Sequence, residues 1–313
     1  MVSPIILEAE TPGHLAIARV LAVYHGELAR IAPALVEGED SDALHAYRVA
    51  LRASRAVLNA RRGVFPRHDL NWIRNGLRWL ARETGPARDL DVVLEATSRL
   101  ASPGVPHADA GPLREALCAR RIAAEQRLRA ALQGPRYSQF TLRYAGFLAN
   151  RQQRVVCRTR HGNEAIAVLM DGAVQRRYRQ IHRAMQRLHA ETPIDDLHDL
   201  RKRAKSLRYL LHAFANLYPD GARDALLKRL KRLQDTLGQM VDLFVQRDSL
   251  RRWVEGLGCA AIPSNTALAV ISIQDLLYAD MSAARRAIEA ERAAFLRPKT
   301  GRLVSQLMGG ARR

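Results

Sequence analysis

The sequence predicts an all-α protein, and three observations support this fold class. Segments rich in Ala, Leu, Arg and Glu carry apolar residues at three- and four-residue spacings, which is the pattern of amphipathic helices. Alternating β-branched runs are almost absent, and the one strand-like stretch, residues 267–273, is interpreted as buried helix. Glycine and proline interrupt the chain at short intervals, and short connections favour antiparallel neighbours and therefore helical bundles.

The interruptions define the predicted helical segments in chain order. Each contains a proline or a glycine, which ends a helix or starts the next one. The segments between them are long enough for helices of several turns and keep the helical spacing of apolar residues. The breaks fall at residues 12–13, 63–66, 85–86, 102–106, 111–112, 134–135, 161–162, 193, 219–221, 263 and 298.

Composition indicates a globular chain with an anionic partner. The 313 residues are 48% apolar, which is enough to bury the core of one large domain or two ordinary ones. Fifty Lys plus Arg residues against 31 Asp plus Glu give a formal charge of +19, and only five of the cations are lysines. Arginine suits bidentate contact with phosphate. A GC-rich genome would also favour arginine codons. Composition alone therefore does not decide between an anionic partner and codon bias as the cause of the arginine excess.

Cysteine usage and hydropathy predict a soluble cytoplasmic protein. Cys118, Cys157 and Cys259 lie far apart, which fits neither a disulfide framework nor a CxxC metal site. The N-terminal stretch has no basic segment followed by a long apolar one. No apolar run approaches the ~18 residues of a membrane span. We therefore expect no membrane partner, no metal and no cofactor.

An internal repeat is the most informative feature of the sequence. At an offset of 153 residues, LHAYRVALRASRAVL (44–58) aligns with LHDLRKRAKSLRYLL (197–211). At the same offset, LRWLARETGPARDLDV (77–92) aligns with LKRLQDTLGQMVDLFV (230–245). The ungapped match predicts two copies of one helical unit related by a pseudo-twofold axis. The predicted division is an N-terminal segment, residues 1–12, a first repeat, residues 13–160, and a second repeat, residues 161–313.

Both copies carry a basic helix face. On a helix, His45, Arg48, Arg52 and Arg55 fall within an arc of roughly 80°. Residues 44–62 contain five arginines and no acid, whereas solvated faces normally mix charges of both signs. A line of donors suits an extended anion with repeating charge better than a single phosphate. The second copy repeats the face with His198, Arg201, Lys205 and Arg208, and extends it with Lys202 and His212.

These paired motifs closely resemble the CHAD domain, the conserved histidine α-helical domain, over nearly the whole chain. The resemblance implies a compact domain of two pseudo-twofold-related four-helix bundles with a shared basic groove or pore. It also implies binding of inorganic polyphosphate and, for bacterial members, association with polyphosphate granules. Asp89 and Asp242 match an acid of the motif, for which we expect a structural role such as orienting an arginine. Matched by position, the phosphate-facing residues are His45, Arg48, Arg52, Arg55, Arg78 and Arg88 in the first copy and His198, Arg201, Lys202, Lys205, Arg208 and Lys231 in the second.

The resulting prediction is non-catalytic polyphosphate binding, with other granule proteins as possible further partners. Nucleic-acid binding is an alternative, but aromatic residues make up only 5% of the chain and none interleaves the basic face. A metal-dependent polyphosphate or phosphoester hydrolase is a second alternative. The dipeptide His198-Asp199 resembles one found in HD phosphohydrolases, but further ligands at metal-site spacing are not evident.

Overall fold

The all-α prediction is confirmed by the computed structural model, which describes residues 5–38, 41–98, 111–153, 157–257 and 264–310. Within these ranges the backbone forms eleven α-helices and a short 3-10 helix, Ala215–Leu217, and contains no strand beyond a single β-bridge between Pro12 and Ala165. The helices are α1 (Gly13–Glu37), α2 (Ser41–Leu58), α3 (Arg67–Glu83), α4 (Gly85–Ser98), α5 (Gly111–Gln133), α6 (Pro135–Gln153), α7 (Ile166–Arg187), α8 (Ile194–Ala213), α9 (Asp220–Leu257), α10 (Ser264–Phe295) and α11 (Pro298–Gly310).

Helix starts recur at the offset found in the sequence. Helices α7, α8, α9 and α10 begin 153 residues after α1, α2, α3 and α5 respectively. The halves differ where the first has two helices, α3 and α4, and the second has the continuous 38-residue α9. Pro86 lacks the backbone N–H that a continuous helix would use, and its counterpart Gln239 has one. The pseudo-twofold axis, the two four-helix bundles and the boundaries of the repeats stay predictions.

The main apolar core of the described residues includes side chains from both halves of the chain. In α2 the apolar stripe beside the basic face is buried: Tyr47 is 0%, Leu51 1% and Leu58 2% exposed. Leu207 of α8 and Leu230 of α9 belong to the same contiguous cluster. Because burial of apolar area is the main favourable term in folding, this shared core fixes the relative positions of the helices that carry the basic faces.

Helices α2 and α8 pack against each other through small residues. Ala53 and Ala56 of α2 form a separate buried cluster with Tyr209 of α8, and Tyr24 and Val49 pack around it. The small alanine side chains allow close approach of the two helices. Helix α4 packs against α9 in a second contact between the halves. The basic faces of the two copies therefore lie side by side.

Over the described ranges, no helix is long and apolar enough to cross a bilayer.

Candidate anion-binding site

Lys205 of α8 is the most strongly perturbed cation where the two basic faces meet. Its pKa is lowered to about 7, first by burial and then by the positive charges of Arg201, Arg52 and Arg208; the carboxylate of Asp242 opposes the shift. Arg52 belongs to α2, so the charges of both copies act on one ammonium group. We call Arg48, Arg52, Arg201 and Lys205, with Asp89 and Asp242, the central cluster.

Arg201 is held against the backbone of α9. Its Nη1 donates a 3.3 Å hydrogen bond to Oδ1 of Asp242. The guanidinium lies over Gly238, where an added Cβ would come within 3.0 Å of Nη2 and 3.4 Å of Cζ. Its Nε is buried without a hydrogen-bond partner. Asp242 therefore orients Arg201, as its place in the motif led us to expect, and leaves part of the donor fork unused.

Arg48 occupies the equivalent position in the first copy with a different anchor. Its Nη1 donates hydrogen bonds to the backbone oxygen of Thr84 at 2.5 Å and to Oγ1 of Thr84 at 3.3 Å. An added Cβ at Gly85 would lie 3.9 Å from Nη1. Burial lowers the pKa of Arg48 to about 10, helped by Arg52 and opposed by Asp89. Its Nε, like that of Arg201, is buried and unpartnered.

Asp89 and Asp242 bring negative charge into the central cluster from α4 and α9. The pKa of Asp89 is raised mainly by restricted hydration and in smaller part by the negative charge of Asp242, against the influence of Arg48 and Arg52. Asp89 is nevertheless exposed, so neighbouring side chains restrict the hydration of its carboxylate without enclosing it. Two acids among four cations leave the central cluster net positive.

The three predicted histidines lie at or near this cluster. Burial lowers the pKa of each below the usual 6.5, and neighbouring cations lower it further. For His45 these cations include Lys205 of the other copy, and for His198 they include Lys202, Arg201 and the same Lys205. His212 lies at the far end, near Arg208. Without a bound anion, all three imidazoles are therefore mostly neutral at pH 7.

The remaining predicted residues extend from this centre to different degrees. Arg55 lies within electrostatic reach of Arg78 and Arg52: burial, and then the charges of these two residues, lower the pKa of Arg55. Arg88 lies 3.7 Å from a carboxylate oxygen of Asp91, and its charge acts on His45. Lys202 is exposed and pairs with Asp199 at 3.0 Å. Lys231 is exposed on α9, and no described contact joins it to the central cluster.

Sequence reasoning missed Arg74 of α3. Its Nε donates a 2.9 Å hydrogen bond to Oδ1 of Asn59, which in turn donates to the backbone oxygen of Arg55 at 2.7 Å. Burial, then the charges of Arg62 and Arg78, lower the pKa of Arg74. The available signal was its four-residue spacing from Arg78, but its counterpart in the second copy is Leu227, so the repeat comparison did not select it.

In the part of the chain that the structure describes, no three or more His, Cys, Asp or Glu side chains are grouped so that they could hold a metal ion.

Comparisons with known proteins agree with the motifs and the fold. The family model described as CHAD domain matches residues 20–251. Two uncharacterised proteins, from two strains of Mycobacterium tuberculosis, are each 30% identical over 256 residues, which is 78% of this chain and 45% of theirs. The chain thus spans less than half the length of these relatives.

Two solved structures share the fold. The CHAD domain of the plant Ricinus communis superposes with a TM-score of 0.74 at 24% identity, covering 94% of this chain and 96% of that one. PptA from Streptomyces chartreusis gives a TM-score of 0.66 at 19% identity, covering 90% of this chain and 99% of that one. With the family model matched over most of its length, the chain belongs to the CHAD domain family.

Proposed function

We propose that this chain binds inorganic polyphosphate without catalysis, along a track formed by the basic faces of α2 and α8. One observation carries the proposal. Lys205 is partly buried, and burial, followed by the positive charges of Arg201 and Arg52 from different copies, lowers its pKa to about 7. Such an environment disfavours a charged lysine in the free protein, and a polyanion laid along the track would relieve the repulsion.

The chemistry of polyphosphate suits the row of cationic donors along the track. It has repeating negative charge and no bases to stack or read, so its binding rests on charge-assisted hydrogen bonds and counterion release. A single exposed ion pair contributes only about 0 to 1 kcal/mol. Here several donors are fixed on rigid helices, and Arg48 and Arg201 are each anchored through Nη1, to Thr84 and to Asp242 respectively. After the first contact forms, later contacts of the same polymer are intramolecular, which raises the overall affinity.

The family assignment supports this proposal, because the motif resemblance implies polyphosphate binding. In the cell, we propose that binding places the protein in the cytoplasm at polyphosphate granules, where other granule proteins are its further partners. Phosphate release from polyphosphate, measured with added Mg²⁺ or Mn²⁺, tests the non-catalytic part of the proposal. Release above the level without protein would contradict it.

Nucleic-acid binding is the rival to exclude. Single-strand binders place aromatic rings beside the basic groove as stacking platforms. Here Trp72, Phe140 and Tyr144 pack against one another, with ring centroids 5.6–6.3 Å apart. Competition at equal phosphate concentration decides between the two ligands. We expect DNA to displace long polyphosphate poorly, and efficient displacement would favour the hypothesis of nucleic-acid binding.

A charge-reversal titration tests the proposed function directly. Polyphosphate of defined lengths is titrated against wild type and the double variant Arg48→Glu, Arg201→Glu at two salt concentrations. We expect a large loss of affinity and a shallower salt dependence, because phosphate contacts and released counterions are lost together. The control is Arg120→Glu, Arg286→Glu, which makes the same charge change at exposed positions of α5 and α10. Equal losses in both variants would reduce the effect to net charge and contradict a defined site.

A further inference from the structure

One surface of α3 is cationic along its whole length. Positions recurring every three or four residues fall within an arc of roughly 80°, so their side chains form one stripe. The stripe runs about 22 Å at 1.5 Å per residue. It holds four arginines and one asparagine and no acid, and we call it the α3 stripe: Arg67, Asn71, Arg74, Arg78 and Arg82.

The corresponding surface of α9 has the opposite charge. Three of its five positions are aspartates and one is lysine, so the formal charge is −2 where the α3 stripe has +4. Nearby, Arg223 is already neutralised by two of these acids, at 2.6 Å from Asp220 and 3.0 Å from Asp224. The α9 stripe is Asp220, Asp224, Leu227, Lys231 and Asp235.

The α3 stripe is continuous with the central cluster. Arg55 of α2 is close enough to Arg52 and Arg78 for both charges to lower its pKa, after burial. Asn59, one turn beyond Arg55, accepts the hydrogen bond from Arg74. Positive charge therefore continues from α2 onto α3. At the other end of the track, beyond His212, the positive charge is interrupted by Asp220 and Asp224, which pair with Arg223.

Resting on the proposed function, we infer that the α3 stripe is a one-sided extension of the polyphosphate site. A short chain occupies only the central cluster. The part of a longer chain that extends past the central cluster lies along the α3 stripe and is repelled by the α9 stripe. The protein therefore binds long chains more tightly than short ones, with the extra phosphates on the α3 side. The duplicated halves thus make unequal contributions to the same polymer.

Helix stability does not account for the α3 stripe. Arg67 stands in the first turn of α3, where the helix dipole disfavours positive charge, whereas Asp220 is favourable at the equivalent place in α9. Arg74, Arg78 and Arg82 follow each other at four-residue spacing, and such like-charge pairs cost a few tenths of a kcal/mol each. The α3 stripe is therefore an arrangement that the fold tolerates and an anion would stabilise.

A residue swap between the stripes tests the inference. The variant Arg67→Asp, Asn71→Asp gives the outer end of the α3 stripe the residues of α9, at two exposed positions that make no described contact with the central cluster. We expect its affinity for long polyphosphate to fall about tenfold at low salt, because the two substitutions remove one cation and add two acids at exposed positions. Affinity for a chain too short to pass the central cluster stays within twofold of wild type.

A converse variant, Asp224→Asn, Asp235→Arg, gives two positions of the α9 stripe the residues of their α3 counterparts, Asn71 and Arg82, and changes the formal charge of the α9 stripe from −2 to +1. We expect it to bind long chains more tightly than wild type and short chains unchanged, with circular dichroism confirming that both variants fold. If the α3 variant binds long chains as wild type does, or loses short and long chains equally, the extension is refuted. Failure of the proposed function is a separate result, in which wild type and Arg48→Glu, Arg201→Glu bind every length equally.

Discussion

Replacement of Lys205 by methionine tests the electrostatics of the central cluster most sharply. In the unfolded chain this lysine titrates near its ordinary pKa of 10.5, and in the folded protein its pKa is about 7. Between these values the unfolded state binds a proton that the folded state has released. The free energy of unfolding therefore rises with pH across this window, and below pH 7 the unfavourable charge is fully present.

The magnitude follows from the size of the shift. One proton contributes about 1.4 kcal/mol per pH unit, so wild type should gain about 2 kcal/mol between pH 7.5 and 9. Lys205 keeps some contact with solvent, and screening brings the expected gain to about 1 to 2 kcal/mol. Lys205→Met has no such proton to release, so the difference between the two proteins should shrink by this amount as pH rises.

Urea unfolding at several pH values measures this difference, and Lys228→Met, at an exposed position of the same protein, is the matched control. Affinity should move in the opposite direction. A polyanion favours the protonated lysine, so wild type should bind polyphosphate less tightly as pH rises from 7 to 9, and Lys205→Met should lose this dependence. A constant difference in unfolding free energy between wild type and Lys205→Met over this range would refute the cationic environment assigned to Lys205.

The glycines under the two anchored arginines provide a matched pair. Gly238→Ala should lower polyphosphate affinity several-fold, because its Cβ would lie 3.0 Å from the Arg201 guanidinium. Gly85→Ala should have little effect, because its Cβ would lie 3.9 Å from Nη1 of Arg48. Calorimetric titration compares the two variants, and equal losses of affinity would contradict the packing of Arg201 on Gly238. The free energy of unfolding of Gly238→Ala should change by less than about 1 kcal/mol, since alanine favours the helix and offsets part of the crowding. His198→Gln should bind like wild type at pH 8 and more weakly at pH 5.5, because burial and neighbouring cations hold the pKa of His198 below 6.5; an unchanged affinity ratio would remove histidine charging from the mechanism.

The repeat made much of the fold predictable from sequence. The offset between LHAYRVALRASRAVL and LHDLRKRAKSLRYLL is the same offset at which four pairs of helices begin. Helical periodicity also placed Tyr47 and Leu51 in the core beside a basic face. Residues 267–273 are helical as expected, but Ile271 is 55% exposed, because periodicity alone does not show which side of an apolar helix is covered.

The electrostatic centre of the site was less accessible to sequence reasoning. The position of Lys205 between charges of both copies depends on how closely α2 and α8 approach, and that distance is set by Ala53, Ala56 and Tyr209. These are small or apolar side chains with no charge pattern to mark them. Arg74 was missed for a different reason. Its counterpart in the second copy is Leu227, and a repeat comparison finds only residues that both copies share.

The central claim is that α2 and α8 bind one polyphosphate chain together. Calorimetric titration with a short chain of defined length, on wild type and on Arg48→Glu and Arg201→Glu separately, tests it most directly. A shared site predicts one chain per protein, with each single substitution weakening that one binding event. Two chains per protein, with each substitution removing one and leaving the affinity of the other unchanged, would show that the halves bind independently and would contradict the claim.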